Sequence, residues 1–194
     1  MCRSELDAAK DALRSELRRW RRALAAAPRA AAHDALARAL VQRLETAPPC
    51  ALASYVALPE EADLSAVHAW WWSRGGELWL PRVTGPGGLA WHALHSLDQT
   101  TTGAYGIREP NPAKVPAAPL PAEALMLVPG LGFTADGRRL GQGGGFYDRV
   151  LATHRGPAIG IGYACQQVDD LPAAAHDIRL PTICLSGIWL SSPP

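Results

Sequence analysis

A glycine-rich segment between a buried strand and a helix constrains the fold of this chain more than any other feature. Residues 124–129 (ALMLVP) form an apolar run typical of a buried strand, and residues 146–154 (FYDRVLATH) have the pattern of a helix. Between them lie glycines at positions 130, 132, 137, 141, 143, 144 and 145. A strand, a glycine loop and a helix in this order indicate an α/β unit, in which ligands collect at the carboxyl end of the strand.

Further strands and helices are predicted along the chain. Apolar residues at helical spacing from Ser4 predict an amphipathic helix that stops at Pro28, and an Ala-rich helix should span about 30–45. A third helix is predicted over 67–72. The predicted strands are 50–58, 77–81, 89–94, 157–164 and one or two within 182–190, and the proline-rich segment 110–121 is an extended connection. We therefore predict one α/β domain over residues 1–194, with a mainly parallel sheet flanked by helices.

Composition excludes several classes of protein. The formal net charge of +1 gives no global attraction to nucleic acid or to anionic membranes. The four cysteines show no metal-ligand spacing, which favours reduced thiols. The first residues alternate charged and apolar side chains, so no signal peptide is predicted, and no stretch has the length and apolarity of a membrane span. We expect a soluble, cytoplasmic protein.

The glycine segment is interpreted as a nucleotide-phosphate loop. A backbone with few side chains approaches phosphate closely, Arg139 supplies positive charge, and Asp148 at the start of the helix suits Mg²⁺ brought by a nucleotide. The alternatives are a flexible Gly-rich turn and a carboxylate that only complements the helix dipole. The segment lacks the G-K-[ST] ending of a P-loop, and Phe146 stands where a dinucleotide fingerprint has its last glycine.

The first predicted helix carries Lys10, Arg14 and Arg18 at intervals of four residues. Such a row is a solvated basic face or a set of phosphate ligands. A lysine among 17 arginines is compatible with a compact ammonium facing a phosphate.

Together these motifs resemble the 5-formyltetrahydrofolate cyclo-ligase family, also called 5,10-methenyltetrahydrofolate synthetase. The resemblance rests on P-G-L-G-F at 129–133 and on G-x-R-L-G-x-G-x-G-x-Y-D at 137–148. Other motifs in the same order extend it over nearly the whole chain: K-x-x-L-R at 10–14, E-x-D at 61–63, L-P-R at 80–82, G-I-x-E-P at 106–110 and L-P…H-D at 171–177. The chain departs from the family's pattern at Thr134, Gln142, Gly144, Phe146 and Pro181.

The resemblance implies a fold like that of sugar-phosphate isomerases and CoA-transferases, and an enzyme that uses ATP and Mg²⁺ to close 5-formyltetrahydrofolate into 5,10-methenyltetrahydrofolate. It implies that Lys10 and Arg139 are catalytic and that Asp148 and Asp177 serve the metal. Val56, Glu61 and Tyr105 are implied to bind folate. The implied ATP-binding residues are Lys10, Arg14, Arg139, Leu140, Gly141, Gln142, Gly143, Gly144, Gly145, Phe146 and Tyr147.

Two alternatives remain open at this stage. One is a divergent relative that uses ATP and Mg²⁺ on another small formyl or carboxyl compound. The other is a nucleic-acid or protein-binding module, in which the basic first helix and the Trp70–Trp72 cluster form the contact surface. The expected partners of the enzyme are reduced folate and ATP, with no nucleic acid or membrane, and the expected assembly is a monomer or weak homodimer.

Overall fold

A computed structural model describes residues 3–103, 106–172 and 178–191. Its helices are Arg3–Ala23 (α1), Ala26–Thr46 (α2), Ser65–Ser73 (α3) and Phe146–Leu151 (α4). Its strands are Leu52–Ala53 (β1), Leu78–Gly85 (β2), Gly88–Leu94 (β3), Thr100–Thr102 (β4), Arg108–Pro110 (β5), Leu125–Pro129 (β6), Gly132–Phe133 (β7), Arg139–Leu140 (β8), Ala158–Gly162 (β9), Thr182–Leu185 (β10) and Ile188–Ser191 (β11).

A seven-stranded sheet in the order β11-β10-β9-β6-β1-β2-β3 forms the centre of the molecule. Its five inner strands are parallel, and β11 and β3 pair with them in antiparallel fashion at the two edges. Two small ribbons, β4-β5 and β7-β8, lie outside this sheet. The predicted class, a mainly parallel sheet flanked by helices, is confirmed; a single domain over 1–194 stays a prediction.

The sheet is buried on both faces, which explains why its strands read as continuous apolar runs. Leu52 and Leu78 face a core formed with α2 and α3. Their chain neighbours Ala53 and Trp79 face the opposite core, to which α4 contributes Leu151. In the described residues, no helix combines the length and apolarity needed to cross a bilayer.

Three boundaries differ from the sequence prediction. Helix α1 ends at Ala23, and Pro28 does not terminate it but lies in the first turn of α2. A proline is tolerated there because the first helical N–H groups have no partner within the helix. Strand β1 is limited to Leu52–Ala53, and the chain beyond it lines a cavity through Tyr55 and Val56. Helix α4 has six residues and ends at Leu151.

Candidate functional site

A cavity of about 540 Å³ opens beside the carboxyl ends of β1 and β6. This volume lies in the range of small-molecule sites. One wall is the segment after β8, which we call the glycine loop (residues 141–145), together with the start of α4. The other wall comes from the chain after β1, from β2 and from the segment leading into β5, and its lining residues include Val56, Glu61, Pro81, Val83, Ile107 and Glu109.

Arg139 and Asp148 form the charged centre of the first wall. Arg139 Nη2 donates to Asp148 Oδ1 at 2.6 Å, and Nη1 donates to the Pro129 carbonyl at 3.1 Å. The Arg139 side chain is 3% exposed and the Asp148 side chain 27%. Arg139 Nε is buried and has no hydrogen-bond partner among the described residues. A buried arginine with an unused donor at a cavity is suited to an anionic ligand.

The glycine loop needs its glycines for two physical reasons. Gly145 has φ +64°, the left-handed conformation that starts α4 and that side chains disfavour. A Cβ at Gly141 would lie 2.9 Å from Arg139 Nη1, so a side chain there would displace the guanidinium. Arg149 holds the loop from outside, donating to the carbonyls of Gly144 and of Gly87 in the β2–β3 turn.

The cationic row of α1 faces the glycine loop instead of forming a free basic face. Arg14 Nε donates to the Gly141 carbonyl at 3.1 Å, and Arg18 Nε and Nη2 donate to Gln142 Oε1 at 3.2 and 3.0 Å. Lys10 is buried, with 8% of its surface exposed. Helix α1 therefore holds the glycine loop through hydrogen bonds from Arg14 and Arg18.

Glu61 is the acidic residue of the opposite wall nearest to this loop. Its Oε2 accepts the Leu58 N–H at 3.2 Å, and its Oε1 accepts Gln142 Nε2 at 3.3 Å. The buried guanidinium of Arg21 lies 3.5 Å from Oε1. Gln142 thus links α1, the glycine loop and the segment after β1 in one hydrogen-bonded chain.

Tyr147 lies between these charged groups. Burial raises the pKa of its phenol well above the usual range, the Glu61 carboxylate raises it further, and Arg139 opposes the shift. The guanidinium carbon of Arg139 is 5.9 Å from the Tyr147 ring centroid. The phenol is therefore a neutral hydrogen-bond donor throughout the physiological pH range.

Most of the residues predicted from the sequence come together here. Val56, Glu61, Arg139, Gly141, Gln142, Gly144, Gly145, Phe146, Tyr147 and Asp148 line the cavity. Arg14 contacts the loop from behind, while the Leu140 side chain is buried against Leu17 and Leu131, so only its backbone is available to a ligand. Lys10 and Gly143 do not line the cavity. Tyr105 and Asp177 lie outside the described residues.

Sequence reasoning assigns no site role to three charged residues of the cavity wall or to one residue that supports the wall. Arg18 belongs to the basic row of α1, and Arg108 and Glu109 lie within the G-I-x-E-P motif, yet all three line the cavity. Arg21, with 1% of its surface exposed, holds Glu61 from beneath. Arg21 lies one helical turn beyond Arg18, and its sequence context does not reveal its burial, because that burial depends on contacts with Glu60 and Glu61 far along the chain.

The donor set fits a nucleotide-borne magnesium ion better than a resident metal. Within the described residues, no cluster of three or more His, Cys, Asp or Glu side chains is placed to hold a metal. Among the described residues, Asp148 offers the carboxylate on the wall formed by the glycine loop and the start of α4. Mg²⁺ is commonly held by one or two carboxylates plus phosphate oxygens, so this single ligand is sufficient when a triphosphate supplies the others.

Comparisons with known proteins identify relatives of this chain. The sequence profile of the 5-formyltetrahydrofolate cyclo-ligase family matches residues 6–186. A 5-formyltetrahydrofolate cyclo-ligase from Escherichia coli (strain K12) is 31% identical over 158 residues, which cover 76% of this chain and 86% of the relative.

Solved structures of two proteins share the fold. The 5,10-methenyltetrahydrofolate synthetase of Aquifex aeolicus superposes with a TM-score of 0.74 at 28% identity, covering 95% of this chain and 93% of the other. The enzyme of the same name from Mycoplasma pneumoniae gives a TM-score of 0.69 at 25% identity, covering 90% and 96%. The profile match extends over nearly the whole chain, so this protein belongs to the 5-formyltetrahydrofolate cyclo-ligase family.

Proposed function

We propose that this protein converts 5-formyltetrahydrofolate into 5,10-methenyltetrahydrofolate, using ATP and releasing ADP and phosphate. The observation that carries the proposal is the cavity itself. It brings the Arg139–Asp148 pair and the glycine loop to one wall and Val56 and Glu61 to the other. These two walls support a site where the phosphates of a nucleotide meet the reacting group of a second small molecule, in a chain that belongs to this family.

The nucleotide occupies the glycine-loop wall in this proposal. The backbone of the loop approaches the phosphates closely because its glycines carry no side chains, and Arg139 places positive charge where the transferred phosphoryl group lies. Arg14 fixes the loop through the Gly141 carbonyl. Lys10 lies on the same helix outside the cavity lining, and we propose it as a second cation for the phosphates. When bound with the nucleotide at Asp148, magnesium neutralises charge on the phosphate oxygens.

The folate occupies the opposite wall. Val56 offers an apolar contact to the ring system, and Glu61 accepts a hydrogen bond from the side of the pterin ring that faces the glycine loop. Tyr105 is proposed to stack on the substrate and Asp177 to assist at the metal. Neither residue is among those described.

The chemistry is a phosphoryl transfer followed by ring closure. The formyl oxygen attacks the γ-phosphorus and the bond to ADP breaks. N10 then attacks the activated formyl carbon, loses its proton, and expels the oxygen as part of inorganic phosphate. The protein contributes mainly by positioning the two reactants and by stabilising negative charge, so no Ser-His-Asp triad is required.

The direct test is turnover by the purified protein. Incubation with ATP, magnesium and 5-formyltetrahydrofolate should produce the near-ultraviolet absorbance of the methenyl product together with one phosphate per product. Omission of ATP is the control. ATP binding without product at high enzyme concentration would favour another small formyl or carboxyl substrate instead.

The proposed setting is the cytoplasm, with the protein acting as a monomer or weak homodimer and without nucleic acid. The described cysteines Cys50, Cys165 and Cys184 are free thiols, as expected in a reducing compartment. Light scattering across a concentration series tests the assembly.

A further inference from the structure

Glu109 is a buried acidic residue in the cavity wall that has no role in the mechanism above. It lies in the middle of β5, its side chain is 5% exposed, and it lines the same cavity as the glycine loop. Burial of a carboxylate is costly unless partners compensate for the lost hydration. Its position at a ligand-sized cavity therefore requires an explanation.

Two neighbours hold the Glu109 carboxylate in place. Arg82 of β2, a strand of the central sheet that packs against β5, reaches the carboxylate with Nη1 3.9 Å from Oε2. The same Nη1 donates to the Pro110 carbonyl at 2.9 Å. Gly103 lies directly against the carboxylate, and a Cβ at this glycine would collide with it. The ion pair is too long for a strong charge-assisted hydrogen bond, so it supports the carboxylate without saturating its oxygens.

The surroundings of Glu109 differ from those of Glu61. Glu61 is bound by the Leu58 N–H, by Gln142 and by Arg21, and it faces the glycine loop. The part of the cavity wall that contains Glu109 has the apolar side chains Pro81, Val83, Leu89 and Ile107. Arg108 also lines the cavity, and its guanidinium donates to Thr100 Oγ1 and to the Leu97 carbonyl. An apolar wall that carries the Glu109 carboxylate is suited to a flat heterocycle with hydrogen-bond donors on one edge.

We propose that Glu109 recognises the pyrimidine edge of the pterin ring, accepting hydrogen bonds from its 2-amino group and from N3–H. These two donors are adjacent and point in the same direction, so one carboxylate accepts both. The inference rests on the proposed folate substrate and deepens it, because it assigns the orientation of the ring. N5, which carries the formyl group, belongs to the other ring of the pterin and so faces away from Glu109, toward the glycine loop.

The test combines a variant with a substrate analogue. The analogue is 2-desamino-2-methyl-5-formyltetrahydrofolate, in which a methyl group replaces the amino group. Calorimetric titration without nucleotide should show that the wild-type protein binds the analogue about tenfold more weakly than 5-formyltetrahydrofolate. Glu109→Gln should bind 5-formyltetrahydrofolate about tenfold more weakly than wild type, and should distinguish the two ligands by no more than about twofold.

A matched control separates recognition from the loss of an ion pair. Glu45→Gln makes the same chemical change at an exposed glutamate that lies 3.3 Å from Arg74 on another part of the surface. This control should retain the full discrimination between the ligands, and the KM for ATP should stay within about twofold of wild type in both variants.

Two results would each overturn the proposed role of Glu109. Equal affinity of the wild-type protein for the two ligands would overturn the assignment of Glu109, and this measurement holds even if Glu109→Gln does not fold. Unchanged discrimination in a folded Glu109→Gln would overturn it as well. If the wild-type protein forms methenyl product and either of these two results overturns the role of Glu109, the proposed function still stands. Absence of folate binding by the wild-type protein would overturn both the proposed function and the role of Glu109.

Discussion

At the scale of single residues, two adjacent arginines of the β7–β8 ribbon have different partners. Arg138 pairs with Asp136 and Asp170, and its Nη1 is 2.6 Å from Asp170 Oδ1. Arg139 points to the other side of the strand, where it pairs with Asp148 in the cavity wall. The sequence RR at this position therefore contains one structural arginine and one that faces the proposed nucleotide.

This difference gives a matched pair of variants. Arg139→Met, which keeps most of the buried side-chain volume, should lower kcat by about 100- to 1000-fold, because it removes a preorganised donor worth about 3 kcal/mol in the transition state. Arg138→Met should leave kcat within about threefold of wild type and cost about 1 kcal/mol of stability. Steady-state kinetics and urea unfolding measure the two effects. Equal losses of kcat would show that damage to the ribbon, not loss of a phosphate ligand, explains the result.

A second residue-scale prediction concerns pH and a histidine outside the active site. His68 of α3 is buried, its Nε2 lies 2.8 Å from Ser54 Oγ, and burial lowers its pKa to about 4. The unfolded chain, with a histidine pKa near 6.5, binds more protons between pH 6.5 and pH 4, so stability falls as the pH falls through this window. The expected loss from this group is about 3 kcal/mol.

The contribution of His68 is measured by difference. Urea unfolding of wild type and of His68→Gln between pH 7.5 and pH 4.5 should show a smaller decline for the variant. His95→Gln, at an exposed histidine, should follow the wild-type curve. A His68→Gln protein that loses as much stability as wild type would contradict the assignment.

At the scale of elements, the sequence predicts the strands and helices well where their signals are local. Strand β6 and helix α3 were predicted within a few residues because an apolar run and a helical period are properties of neighbouring residues. The start of α2 was predicted too late, because Pro28 is treated as a helix breaker although it is acceptable in a first turn.

The part of the candidate site that is encoded by neighbouring residues was predictable from the sequence. The glycine loop and Asp148 are contiguous in sequence, whereas the link from Gln142 to Glu61 spans 81 positions and that from Arg18 to Gln142 spans 124. Such contacts depend on the packing of α1 and of the segment after β1 against the loop. No local pattern encodes them, so the role of Gln142 as a connection between the two walls emerged only from the structure.

This connection predicts coupling between the two substrates. A ligand that orders the glycine loop also orders Glu61 through Gln142, so each substrate should strengthen the binding of the other by about fivefold, the magnitude of one or two exposed hydrogen bonds. Gln142→Met removes all three side-chain hydrogen bonds, two from Arg18 and one to Glu61, at nearly constant volume. The coupling should then fall to within about twofold of unity.

Calorimetry measures this coupling directly. The Kd of a non-hydrolysable ATP analogue with magnesium is determined with and without saturating 5-formyltetrahydrofolate, and the ratio of the two values is the coupling factor. Gln42→Met, at an exposed glutamine of α2, is the control and should keep the wild-type ratio. A ratio that is unchanged in Gln142→Met would show that the two walls communicate by another route.

At the scale of the whole molecule, α1 is held against the glycine-loop region by a small core of its own. Leu17 is fully buried with Leu131, Leu140 and Leu171, separately from the two large cores on the faces of the sheet. On the same helix, Arg14 and Arg18 donate hydrogen bonds to the glycine loop. The position of the loop relative to the sheet therefore depends on how well this small core is packed.

Two leucine truncations test whether this small core serves ATP binding in particular. Leu17→Ala and Leu44→Ala each remove a fully buried side chain, so each should cost about 2–5 kcal/mol of stability. Leu44 packs in the large core beneath α2, away from the loop. Only Leu17→Ala should also raise the KM for ATP, by about tenfold, because it loosens the helix that carries Arg14 and Arg18. The KM for 5-formyltetrahydrofolate should change by no more than about twofold in either variant. The KM values are measured by steady-state kinetics at a temperature where both variants are folded. An equal rise of the KM for ATP in Leu44→Ala would mean that general loss of stability, and not the position of α1 against the loop, governs nucleotide binding.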